Sequence, residues 1–264
     1  MKISSAKATA FGRYELEFYD GFDGPALDTR HWLPHYLPQW SSRQASQATY
    51  DIVDGTLVLR IANDQKPWSP EFNGAVRVSS LQTGVFSGAL GSRQGQHRFA
   101  DTCVVREVQE TVRLYTPRYG YFELRAKCAI AANNVAALWM IGFEDTPEKS
   151  AEICIFELKG GNVGEQRSSI GYGIHPFGDP SLKDAFFEEL FDVNVAEFNT
   201  YAAEWTATAV HFYINGAHIR TIHQSPAYEM QFMLNIYDLE NLLSPNAAFI
   251  VDYVAGYKPG IGAL

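Results

Sequence analysis

The sequence predicts an all-β fold, a two-sheet antiparallel β-sandwich, and three observations predict it. Short apolar stretches recur along the chain between Gly, Pro, Asn and Asp punctuation. Tyr121–Cys128 alternates strictly, with Phe122, Leu124, Ala126 and Cys128 on one side and Glu123, Arg125 and Lys127 on the other. Helical periodicity is scarce.

The elements follow in chain order. Residues 1–14 are small and polar and read as a loose leader, which leaves 15–264 as a single domain. Val53–Ile61 is a turn feeding a strand, with Asp54-Gly55 as the turn signal. Residues 79–99, rich in Ser, Gly, Gln and basic groups, read as a long loop able to wall a cleft. Ser181–Phe191 is the one helical candidate, with Ser181 placed as its cap. Ala209–Arg220 is a hairpin around Asn215-Gly216, and Phe249–Tyr257 is a late strand.

Composition bounds the partners. With 46% apolar and 14% aromatic residues the chain has ample material for a packed core. A net charge of −9 with scattered basic residues argues against nucleic acid or an anionic membrane, since both need a basic face. No apolar run approaches the roughly 20 residues that span a bilayer. A neutral polar ligand such as polymeric carbohydrate suits this balance. Cys103, Cys128 and Cys154 are odd in number and widely spaced, so they form neither a disulfide framework nor a CxxC metal site.

The chemistry points to Ala151–Glu157. Glu152 and Glu157 sit in a run of Ile, Cys, Ile and Phe, where a carboxylate must face a cleft or a partner. Strict alternation places the two acids on opposite faces. A single β-bulge after Cys154 reverses the parity and returns Glu157 to the face of Glu152. Two carboxylates converging to roughly 5–5.5 Å are what a retaining glycosidase uses.

Here the chain resembles glycoside hydrolase family 16, the laminarinase and lichenase group. Tyr119–Lys127 resembles the family's Tyr-Gly-x-Phe-Glu-x-Arg strand, and Ala137–Gly142 the strand after it. Glu152–Glu157 matches the Glu-Ile-Asp-Ile-Phe-Glu signature at every position but one. Tyr19–Trp32, Phe198–Thr206, Phe212–Gly216, Met233–Tyr237 and Val251–Val254 continue the order. The likeness is closest over 119–157, looser over 18–60 and 198–257, and poor over 62–112.

The resemblance implies a concanavalin A-like jelly roll with a carbohydrate cleft on its concave face. It implies Glu152 as nucleophile and Glu157 as acid/base in a double displacement, acting on β-1,3 or mixed-linkage β-glucan. The one mismatch is Cys154, where the family carries an Asp that hydrogen-bonds the nucleophile. A thiol is a weaker donor, so reduced activity is expected. A non-catalytic carbohydrate-binding or sensing protein on the same scaffold, and a transglycosylase, stay open as alternatives.

Other positions take expected roles from the same likeness. Glu123 and Arg125 would face the cleft or form an exposed strand pair. Trp139 would stack on sugar or belong to the core, and Val135 stands where the family often has Trp. Asn235 and Tyr237 would contact sugar, and His175 would be a cleft or a surface histidine. Asp252, with carbonyls such as that of Gly55, matches the position of a structural Ca²⁺, though one carboxylate is a thin donor set for that ion. No cofactor is expected for catalysis. The family is mostly extracellular whereas Met1–Arg13 lacks the apolar stretch of a secretory signal, so the two indications of compartment oppose each other.

Overall fold

The computed structural model describes residues 3–260 apart from 243 and 245. Its strands are β1 (Ala6–Ala8), β2 (Arg13–Asp20), β3 (Thr49–Val53), β4 (Thr56–Arg60), β5 (Arg77–Gln82) and β6 (Gly84–Val85). They continue with β7 (Val112–Arg113), β8 (Gly120–Ala129), β9 (Asn134–Gly142), β10 (Glu152–Lys159), β11 (Ser168–His175) and β12 (Ala185–Phe191). The last are β13 (Asn199–Trp205), β14 (Val210–Ile214), β15 (Ala217–Ile222), β16 (Met230–Asp238) and β17 (Ala248–Pro259).

Two antiparallel sheets pack face to face. The nine-stranded sheet runs β1-β2-β17-β8-β13-β14-β15, with the β3–β4 hairpin attached through β17. The six-stranded sheet runs β12-β11-β10-β9-β16-β5. Between them lies the main core, which takes Phe122, Leu124 and Ala126 from β8 and Leu138 and Met140 from β9. The alternating residues of β9, Ala137, Trp139 and Ile141, point to the outer face of the six-stranded sheet. There they meet Tyr36, Trp40, Trp68, Cys103 and Val105 from long connections. Every residue of β9 is therefore buried, because both faces of its sheet are covered.

Both predicted turns form. Asn215 and Gly216 take φ of 50° and 78°, the left-handed pair that a two-residue hairpin requires, and Asp54-Gly55 does the same at 50° and 68°. All three cysteines are free and buried.

Three expectations are corrected. The predicted helix Ser181–Phe191 is instead the turn before β12 and the edge strand itself, which pairs with β11 from Ile174↔Ala185 to Ser168↔Phe191. Its Ala185, Phe187 and Phe191 pack on the main core while Phe186 packs on the outer cluster, a period of two. Ser181 caps nothing; its hydroxyl donates to Asp179 at 2.6 Å. The predicted loop 79–99 begins with a buried strand, since Ser79, Ser80 and Gln82 of β5 are fully enclosed. Ser80 accepts from Asn235 of the same sheet, and Ser79 donates to the Arg60 carbonyl of β4 in the other. The leader is not loose at Ala6–Ala8, which pairs with β2.

Candidate active site

The site is built on a kink in β10. Cys154 stands opposite Trp139 of β9 and Phe156 opposite Leu138, so Ile155 is an extra residue in the ladder. Ile155 and Phe156 are consecutive yet both enter the main core, whereas Cys154 joins the outer cluster. The bulge thus restores Glu157 to the face that carries Glu152 and Cys154. Across β11, Glu157 faces Gly171, where a Cβ would come within 2.7 Å of Phe186 and 3.1 Å of the Glu157 side chain. Glycine there leaves room for the carboxylate arm.

Glu152 and Glu157 both open into one groove of about 430 Å³ on the outer face of the six-stranded sheet. Tyr36, His97, Trp139, Lys159, His175, Phe177 and Tyr237 line it with them. Glu152 is 9% exposed, and its carboxyl is pushed up to about 8, first by burial and then by the charge of Glu157. The side chain of Glu157 is 27% exposed and lies 3.6 Å from Lys159. Burial raises its pKa, and the ammonium of Lys159 opposes that rise. Cys154 is 1% exposed, and burial between two acids holds its thiol protonated.

The groove walls are held by polar contacts behind them. The indole N–H of Trp139 donates to Asn235, whose amide donates in turn to Ser80 at 2.6 Å. Tyr237 donates to Tyr36 across the floor at 3.3 Å. His175 lies opposite Glu152 in register, binds Asp184 at 2.6 Å through Nδ1 and stacks on Phe186 with 4.7 Å between rings. His97 projects from the 86–99 loop with its ring 5.0 Å from both Trp139 and Phe177. Burial and the neighbouring His175 lower its pKa to about 4, so it meets a ligand as neutral imidazole.

The structure therefore brings together Glu152, Cys154, Glu157, Trp139, His175 and Tyr237. It withdraws Asn235 from direct contact, since that residue is fully buried and spent on Trp139 and Ser80. It also moves Glu123 and Arg125 away from the cleft. Both lie on the outer face of the nine-stranded sheet, on the far side of the main core. There Glu123 accepts from Lys7, Tyr121 and Tyr253, and Arg125 pairs with Asp252.

That pairing bears on calcium as well. The carboxylate of Asp252 is engaged by a guanidinium, and no group of three His, Cys, Asp or Glu among the described residues is placed to hold a metal. Gly55 lies beside the carboxylate of Asp23. With its carboxylate engaged by Arg125, Asp252 is a poor anchor for a hard cation that needs six to eight oxygen donors.

Tyr36, His97 and Phe177 line the groove without a signal in the sequence, since they come from three separate connections and carry no local periodicity. Lys159 has one, because it stands two residues beyond Glu157 on the same strand face and is placed to pair with it.

Comparison with known proteins gives the site its relatives. Residues 110–252 match the model of glycosyl hydrolases family 16. A GlcNAcα1-4Gal-releasing endo-β-galactosidase from Clostridium perfringens superposes with a TM-score of 0.81 at 31% identity, covering 96% of this chain. The chain spans 64% of the length of that protein. A laminarinase from Flavobacterium sp. UMI-01 gives a TM-score of 0.64 at 16% identity, over 92% of this chain and 100% of its own. An endo-β-1,3-glucanase from Pyrococcus furiosus gives 0.63 at 14%, over 98% and 99%. No curated protein matches the sequence. The chain belongs to glycosyl hydrolases family 16.

Proposed function

We propose that the protein is a retaining endo-β-glycanase that cleaves internal β-galactosidic bonds. The carrying observation is the bulge at Ile155, which turns Glu152 and Glu157 toward one groove. Two coupled carboxylates in a shaded groove hold a single proton between them, because each charge opposes the other. At rest burial and the charge of Glu157 keep that proton on Glu152; the reactive form is the tautomer in which Glu157 holds it and Glu152 is the carboxylate.

The reaction then runs in two displacements. Glu157 gives its proton to the glycosidic oxygen as an oxygen of Glu152 bonds to the anomeric carbon and the leaving sugar departs. Glu157, now a carboxylate, takes a proton from water while the water oxygen bonds to the anomeric carbon. The ester to Glu152 breaks, and both acids return to their starting forms. Lys159, 3.6 Å from Glu157, favours its charged form and so supports the second half. Trp139, Tyr36, Tyr237 and Phe177 offer ring faces to the C–H faces of pyranoses.

Galactan rather than glucan is supported by the degree of likeness. The endo-β-galactosidase shares 31% of aligned residues, whereas the Flavobacterium and Pyrococcus glucanases share 16% and 14% and inform the fold alone. This replaces the β-1,3 or mixed-linkage glucan suggested by the motif.

Reducing-sugar release from galactans, laminarin and lichenan is the deciding measurement. Release from galactan alone supports the proposal, release from laminarin alone restores the glucan reading, and binding without turnover on every polymer leaves a lectin. Glu157→Gln should lower kcat by about 10²–10⁴-fold on polymer. On an aryl glycoside, whose leaving group needs no proton, that variant should keep a glycosylation burst that Glu152→Gln lacks.

A further inference from the structure

His97 and Phe177 line more than the catalytic groove. The same two side chains, whose rings meet at 5.0 Å, also line an adjacent cavity of about 450 Å³. Its remaining walls include Arg93, Gln94, Arg98, Glu144 and Ser150. We propose that this cavity seats an anionic substituent, a sulfate ester or a carboxylate, carried by the sugar chain lying in the catalytic groove. This deepens the proposed glycanase function and rests on it.

The donor inventory is the first argument. Arg93 and Arg98 bring guanidinium groups that donate and never accept. Ser150 accepts from the Gly178 N–H at 2.8 Å, which leaves its own hydroxyl proton to offer. Glu144 would be the one opposing charge, but it is 6% exposed and burial pushes its carboxyl up to about 8. At neutral pH it is an acid with a proton to donate. These few donors, set among the apolar walls of Pro147 and Phe177, suit a group with several acceptor oxygens. It is also locally basic in a chain of net charge −9.

Both guanidiniums reach Asp101, and Arg93 donates to its backbone carbonyl. Their acidic neighbour is Asp101, which lies 3.5 Å from Arg93 and 3.4 Å from Arg98 and is 93% exposed in its side chain. A pair so open to water holds its partners weakly.

Backbone strain marks the same junction. His97 and Glu144 take φ of 47° and 55°, a region that side-chain-bearing residues rarely occupy, and the His97 N–H donates to the Glu144 carboxyl. Arg93–Arg98 also lies outside the matched family region 110–252.

The test uses β-linked galactotetraose and laminaritetraose, each neutral, 6-O-sulfated, or oxidised at C6 to the uronate. On whichever backbone is cleaved, KM for an anionic form should lie about tenfold or more below that of the neutral form. That gain should shrink as salt rises. A gain for sulfate alone, for carboxylate alone, or for both names the source of the anion. In Arg93→Gln/Arg98→Gln the ratio should fall toward one, and in Arg93→Lys/Arg98→Lys most of it should return. Melting curves check that the variants fold, with the single Gln variants as second reporters. Equal KM for neutral and anionic forms on both backbones overturns the inference, as does a gain that survives the double Gln change. Cleavage of neutral laminaritetraose but not galactotetraose overturns the galactan reading instead, and the anion comparison then proceeds on the laminari backbone.

Discussion

At the scale of single residues the site is a contest between burial and charge. Glu152 has an ordinary carboxyl pKa near 4.5 when unfolded and about 8 in the folded groove. The folded state therefore binds the proton more tightly, and stability falls as pH rises from about 4.5 to about 8. Glu152→Gln removes that loss. Its melting temperature should equal the parent's near pH 4.5, exceed it progressively up to pH 8, and stay ahead above that. The gain corresponds to a few kcal/mol. Melting curves at pH 4.5, 6 and 8.5 check the trend, and a constant difference across them would refute it. Cys154 poses the complementary case. Its protonated thiol gives Glu152 little to bind, whereas Cys154→Asp supplies an acid at hydrogen-bond reach along the same strand face. That change should raise kcat by about tenfold, the worth of one bond to a charged group. It should lower the melting temperature, since a third acid enters a dry wall. An unchanged or lower kcat shows that the thiol is the better neighbour. These residues were legible because acids in an apolar run stand out. The placement of Glu123 was not, since alternation puts it opposite the core face of its strand but does not say which of the two sheets that strand joins.

At the scale of elements the decisive object is the one-residue bulge. Ile155 and Phe156 both enter the core, so deleting Ile155 leaves a regular ladder in which Glu157 still faces the groove. Inserting one Ala between Phe156 and Glu157 has the opposite effect and drives the carboxylate into the core. The deletion variant should fold with a loss of about 2–5 kcal/mol from the missing Ile packing, and should keep measurable hydrolysis. The insertion variant should lose all hydrolysis and destabilise more, because it buries an unpaired acid. Reducing-sugar release and melting curves on the pair check this, and an active insertion variant would sink the parity argument. The helix expected at Ser181–Phe191 failed for a related reason. Its Phe and Glu residues suit either period, and an isolated helix of that length is marginal in water. The backbone hydrogen bonds offered by β11 decided the outcome, and no local pattern announces a sheet edge several residues away.

At the scale of the whole molecule, stability and chemistry occupy opposite faces. The groove is walled by connections around Tyr36, His97 and Phe177, which are distant in sequence and meet only after the six-stranded sheet has formed. That explains why the sheets were foreseeable while most of the binding surface was not. The outer face of the nine-stranded sheet carries a different set of buried acids. Glu204 is fully enclosed and accepts from Thr9 at 2.7 Å and from Tyr14 and Tyr213 at 2.6 Å. Glu123, 5% exposed, takes its counter-charge from Lys7 of β1 and two phenol protons besides. The first strand is thus a strap whose Lys7 brings a cation to an acid the sheet has already buried. Lys7→Ala leaves Glu123 buried with hydrogen bonds but no cation. Breaking a buried pair costs about 3–5 kcal/mol, and the partial exposure of Lys7 puts the expected loss at the low end of that range. The melting temperature should fall by roughly 5–10 °C for a chain of this size. Glu123→Gln in the same chain should recover much of that drop, because the uncompensated charge is then gone. Throughout, kcat/KM at 20 °C should stay within about twofold of the parent, since the main core separates the strap from the groove. A Lys7→Ala variant that melts normally would show that Lys7 does not hold the buried acid, and one that loses activity while still folded would show that the two faces communicate.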